Sequence, residues 1–85
     1  MSVNAYVLIN VEPERIPEVV ERLHAIPGGI VREVVGPYDV VVELEADTQE
    51  DITRILRHSI SPIQGITNAV PCTWYVREVS GHAGM

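Results

Sequence analysis

The segment Gly36-Pro37-Tyr38-Asp39 carries the most suggestive chemistry in the sequence. Backbone N–H groups in such a turn can receive a carboxylate, and the Asp39 side chain can accept an ammonium. Those are the two ends of an amino acid. The same four residues also suit an ordinary hairpin turn whose Asp bonds its own backbone. Four residues alone do not decide between the two readings.

The remaining reactive side chains form no constellation. His24 and His58 each fall near the end of a helical pattern, where a positive charge suits the helix dipole, and His82 lies in the C-terminal tail. Cys72 is a lone cysteine, so no disulfide is expected, and its default role is that of a small packing residue. Trp74 and Tyr75 read as packing or interface aromatics. There is no C-x-x-C or H-x3-H spacing for zinc, no phosphate-binding glycine loop and no nucleophile elbow. No catalytic residue, metal ligand or cofactor site is predicted.

Charge narrows the partners. Twelve acids face six bases, all arginine, for a formal net charge of -6. Phosphate neutralisation needs a basic face, and the scattered arginines supply none, so direct nucleic-acid binding is not expected. No apolar run approaches the roughly 18 residues of a membrane span, and no N-terminal targeting pattern is visible. A lone cysteine without a leader points to the cytoplasm.

The elements that must position the turn follow from periodicity. Residues 3–11 alternate as a strand. Pro13 starts a helix whose stripe is Ile16, Val19, Val20, Leu23 and Ile26; Pro17 falls in its first turn and Gly28-Gly29 ends it. Residues 30–35 and 40–46 form a hairpin about the turn. Asp47 caps a second helix, with Glu50 three residues on, and Ser61-Pro62 closes it. Residues 66–70 form a fourth strand. A bulge or break is expected at Pro71, and an extra strand over residues 72–78. The order β-α-β-β-α-β is the split-βαβ, ferredoxin-like α+β pattern, here one domain over residues 1–79 with a tail at 80–85.

Right-handed crossovers put both helices on one face of the sheet. The other face carries Tyr6, Leu8, Val41 and Glu43, with Asn4, Asn10 and Glu45. An apolar band of that kind reads as a dimer interface. A domain of 85 residues hides only about 60–65% of its unfolded surface, so a second sheet would supply the burial it lacks.

Taken together, Ile26-Pro27-Gly28-Gly29-Ile30-Val31, Gly36-Pro37-Tyr38-Asp39-Val40-Val41-Val42 and Ile63-Gln64-Gly65-Ile66-Thr67 resemble the Lrp/AsnC family of transcriptional regulators. They match its C-terminal effector-binding (RAM) domain over about residues 3–76. Usual members begin with a helix-turn-helix that reads DNA. This chain starts at the first strand and so resembles stand-alone members. In the last strand, where the family often has threonines, it has Ala69, Val70 and Pro71. The resemblance implies a dimeric α/β barrel made by facing sheets, with dimers assembling into an octamer or another ring. It also implies an amino acid or related small metabolite bound between dimers near Gly36, Tyr38 and Asp39. Asp39 would take the ammonium, and N–H groups near Gly36 and Tyr38 the carboxylate. The implied function is effector-dependent modulation of transcription through full-length Lrp/AsnC regulators. Two alternatives remain. One is a dimeric α/β-barrel enzyme (a small monooxygenase, isomerase or decarboxylase) using Asn4, Tyr6, Asn10, His24 and Trp74. The other is a purely structural oligomerisation domain.

Overall fold

The computed structural model describes residues 2–74. Strand β1 (Val3–Val11) alternates buried and half-open side chains, as its period-two sequence requires. A single 3-10 turn at Pro13–Arg15 leads into helix α1 (Ile16–His24), so the α-helix begins three residues later than Pro13 suggests. Pro17 sits in the first turn of α1, where its missing N–H breaks no bond. Strand β2 (Ile30–Glu33) and strand β3 (Val40–Ala46) form the expected hairpin. Helix α2 (Gln49–Ile55) runs on into a π-helical turn at Leu56–Ile60. Strand β4 (Ile66–Trp74) completes the chain's described part.

The sheet is antiparallel throughout, in the order β2-β3-β1-β4. The α+β, ferredoxin-like fold is therefore present. β1 lies at the centre, and Val7 faces Val42 on one side and Pro71 on the other. Its inward side chains, Ala5, Val7, Ile9 and Val11, pack with Val40, Val42 and Leu44 of β3. Val19, Leu23 and Ile26 from the first helical segment, and Ile52 and Ile60 from the second, close this core. No polar or charged residue is buried among the described residues. The stripe of the first helix is the one the sequence predicts.

Three expectations need correction. β2 ends at Glu33 rather than at residue 35; Val34 and Val35 are exposed, Val35 completely. The second helix is capped one residue later than expected: Thr48 Oγ1 accepts from the Asp51 N–H at 3.1 Å, in place of Asp47 paired with Glu50. Pro71 breaks nothing. β4 is an edge strand, so a residue without an N–H can turn that side outward, and the strand continues through Cys72 to Trp74. The segment expected as an extra strand is thus, as far as Trp74, the end of β4. Residues 75–78 and the tail at 80–85 lie outside the described residues. The irregularity sits at the other end of the pairing: Asn10 faces Asn68, but Val11 faces Ile66, leaving Thr67 as the extra residue.

Gly65 explains why the second repeat of the Ile-x-Gly-Ile pattern holds a glycine. Its φ is +107°, and a Cβ there would lie 2.9 Å from both Cβ and Cδ of Arg15 and 3.1 Å from Val19 Cγ2. The Gly65 carbonyl also accepts from the Glu12 N–H at 2.9 Å. The loop before β4 is thereby clamped to the start of the first helix.

Candidate functional site

The Gly36–Asp39 turn hangs from the end of β1. The β1–β3 ladder stops at Ile9 facing Val40. One residue beyond, Asp39 continues it in two ways. Its N–H donates to the Ile9 carbonyl at 2.9 Å, and its Oδ2 accepts from the Val11 N–H at 2.9 Å. The carboxylate thus stands where the next strand carbonyl would be. Asp39 also accepts at its own carbonyl from Val34 N–H, 3.0 Å, closing the hairpin. So this Asp does not bond the backbone of its own turn; it bonds β1, across 28 residues.

A second tether comes from Asn10. Its Nδ2 donates to the Pro37 carbonyl at 2.9 Å, and its Oδ1 accepts from Asn68 Nδ2 at 3.4 Å. Among the described residues, the backbone N–H groups of Gly36 and Tyr38 donate to nothing within the protein. Tyr38 and Asp39 are half-buried and Gly36 is exposed. Among the described residues the turn therefore presents two N–H donors without an acceptor beside a carboxylate that has one oxygen anchored and the other, Oδ1, without a donor. Nothing in the local pattern at Asn10 or Asn68 marks them as tethers. The available signal is polarity at the end of a strand face whose middle, Tyr6 and Leu8, is apolar.

The sheet face away from the helices is formed by Asn4, Tyr6, Leu8 and Asn10 of β1, Val41, Glu43 and Glu45 of β3, Ile30 and Arg32 of β2, and Asn68, Val70, Cys72 and Trp74 of β4, as alternation and register dictate. Tyr6 and Trp74 stack with ring centroids 4.6 Å apart and planes tilted by 35°. Tyr6 is 39% exposed and Ile30 50%. Leu8, Val41 and Val70 are only half-covered. At the rim, Arg32 Nη1 lies 3.2 Å from Glu43 Oε1, so Glu43 reaches this face already paired within its own chain.

The five groups considered for an enzyme do not converge. Asn4, Tyr6 and Trp74 are neighbours on the outer sheet face. Asn10 lies on the same face, about 13 Å along the strand from Tyr6 and about 20 Å from Asn4. His24 ends α1 in the opposite layer and is exposed, as is His58. Cys72 is exposed. Among the described residues no group of three or more His, Cys, Asp or Glu side chains could hold a metal, and no helix is long and apolar enough to cross a membrane. Asp51 is held below the usual carboxylate range by its side-chain hydrogen bond with Thr48 and then by Arg54, whose Nη1 lies 2.8 Å from Asp51 Oδ1.

No protein-family model matches the sequence, and no curated protein matches it. Solved structures do. A Thermus thermophilus protein, TTHA0845, superposes with a TM-score of 0.83 at 22% identity, over 89% of this chain and 96% of that one. The protein FFRP-DM1 gives 0.79 at 27% identity, over 86% of this chain and 99% of its own. Escherichia coli AsnC gives 0.81 at 13% identity, over 88% of this chain and 52% of AsnC. This chain thus spans about half the length of AsnC and nearly all of the two smaller proteins. The resemblance to the Lrp/AsnC family therefore holds for the fold. The same fold also serves the Escherichia coli Tat proofreading chaperone protein NapD (TM-score 0.73, 20% identity), so fold alone does not assign function.

Proposed function

We propose that the chain is a regulatory ligand-binding module that pairs sheet to sheet with a second copy. At the Gly36–Asp39 turn it receives an amino acid or related small metabolite, between dimers of a ring. It acts on transcription through full-length Lrp/AsnC regulators in the cytoplasm. The observation that supports this reading most is the turn itself: the free N–H groups of Gly36 and Tyr38 lie beside an Asp39 carboxylate with one oxygen unengaged. A carboxylate on the N–H pair and an ammonium on Asp39 Oδ1 would satisfy both, and each contact is charge-assisted. The half-covered apolar band from Tyr6 to Val41 supports pairing, since a second sheet would cover it.

Isothermal titration calorimetry of the whole chain against the standard amino acids tests the ligand. The reading expects saturable heat with at least one of them. Uniformly null titrations would sink the amino-acid version.

A further inference from the structure

We propose that Asn10 links the ligand turn to the pairing state of the sheet, so that pairing of two sheets stiffens the Gly36–Asp39 turn and a ligand on the turn favours pairing. This rests on the sheet-to-sheet reading above and concerns how that same site is regulated.

Three observations carry it. First, Asn10 follows Asn4, Tyr6 and Leu8 at period two, so its side chain stands on the face that a second sheet would cover. Second, from that face it donates to the Pro37 carbonyl, in the middle of the turn, at 2.9 Å. Third, the backbone on both sides of Asn10 is held by Asp39, through the Ile9 carbonyl and the Val11 N–H. One strand end therefore carries both the turn's three tethers and a member of the outer face. Asn68, opposite Asn10 in register, extends the polar pair to the edge strand.

In the unpaired chain water competes for the Asn10 and Pro37 groups, because this hydrogen bond is exposed. A covering sheet removes that water and lowers the local dielectric, which strengthens the bond and makes breaking it more costly. The turn then spends less time detached. Linkage makes the effect reciprocal: whatever holds the turn in its tethered form stabilises the paired state by the same factor.

Amide hydrogen exchange of the whole chain, measured at protein concentrations on both sides of the pairing midpoint, reads this directly. The Val11, Val34 and Asp39 amides all bond to or from the turn. On pairing, their exchange should slow by about fivefold beyond any slowing in α1, the equivalent of one ordinary hydrogen bond. In Asn10→Ala the extra slowing should vanish while the paired species still forms. Asn68→Ala, which removes only the outer link, should reduce it in the same direction, and it carries the test if Asn10→Ala does not fold. Extra slowing that persists in Asn10→Ala, or its absence in a paired wild-type chain, overturns the linkage alone. A wild-type chain that never pairs overturns the linkage and the pairing reading together.

Discussion

Asp39 does two jobs with two oxygens, and substitutions can separate them. Oδ2 replaces a strand carbonyl for Val11, while Oδ1 is the proposed partner of an ammonium. Asp39→Ala removes both. It should cost about 1 kcal/mol of stability, because the part-buried Val11 N–H loses its acceptor. Asp39→Asn keeps an oxygen for Val11 and removes the charge. Denaturant titration should therefore find it within a few tenths of a kcal/mol of the wild type, whereas calorimetry should find ligand binding weakened by about tenfold. Undiminished binding to Asp39→Asn would remove Asp39 from the ligand's contacts. The sequence made the turn and its Asp legible, because Gly, Pro and Asp have strong local preferences. It could not reveal Val11 or Asn10 as partners, because those contacts depend on the register between strands 28 and 27 residues apart.

At the scale of elements, the cap of α2 and the clamp at Gly65 carry the clearest energetic consequences. Thr48→Ala should cost about 1 kcal/mol by removing the acceptor for the Asp51 N–H. The pH dependence follows from the same residue pair, because the Thr48 side chain also hydrogen-bonds the Asp51 carboxylate. Asp51 titrates below its ordinary value, so its contribution to stability is complete above about pH 4 and is lost as pH falls through the lowered value. Thr48→Ala should therefore flatten the stability profile in that acid range, measured by thermal unfolding across pH. Gly65→Ala combines a positive φ with a Cβ forced against Arg15 Cβ, and should lose about 1–2 kcal/mol. Retention of full stability in that variant would mean that the loop moves away from α1 freely. Element type was readable from period two and period 3.6 almost everywhere. The cap was misplaced by one residue because Asp47–Glu50 and Thr48–Asp51 have the same spacing, and the apolar stripe of Ile52 and Ile55 fits either. Pro71 was misread for a different reason: its tolerance depends on β4 being an edge strand, which is a property of topology, not of local sequence.

For the whole molecule, the helices cover the β1 and β3 part of one sheet face and leave the other face with Tyr6, Leu8, Val41 and Val70 across its middle and Trp74 at the β4 edge. The alternation within β1 and β3 made the β1 and β3 part of that face visible in the sequence. The contribution of Val70 and Trp74 needed the pairing of β4 with β1. A charge at the centre of this face, as in Leu8→Glu, would leave the core side chains Val7 and Ile9 in place and would be buried unpaired by a facing sheet. The measurement that tests the account most directly is the mass of the wild-type chain in solution by multi-angle light scattering at micromolar concentration, with Leu8→Glu alongside. The account predicts a dimer or a ring of dimers for the wild type, and a folded chain shifted to monomer for Leu8→Glu. A wild-type chain that is a stable monomer would contradict it.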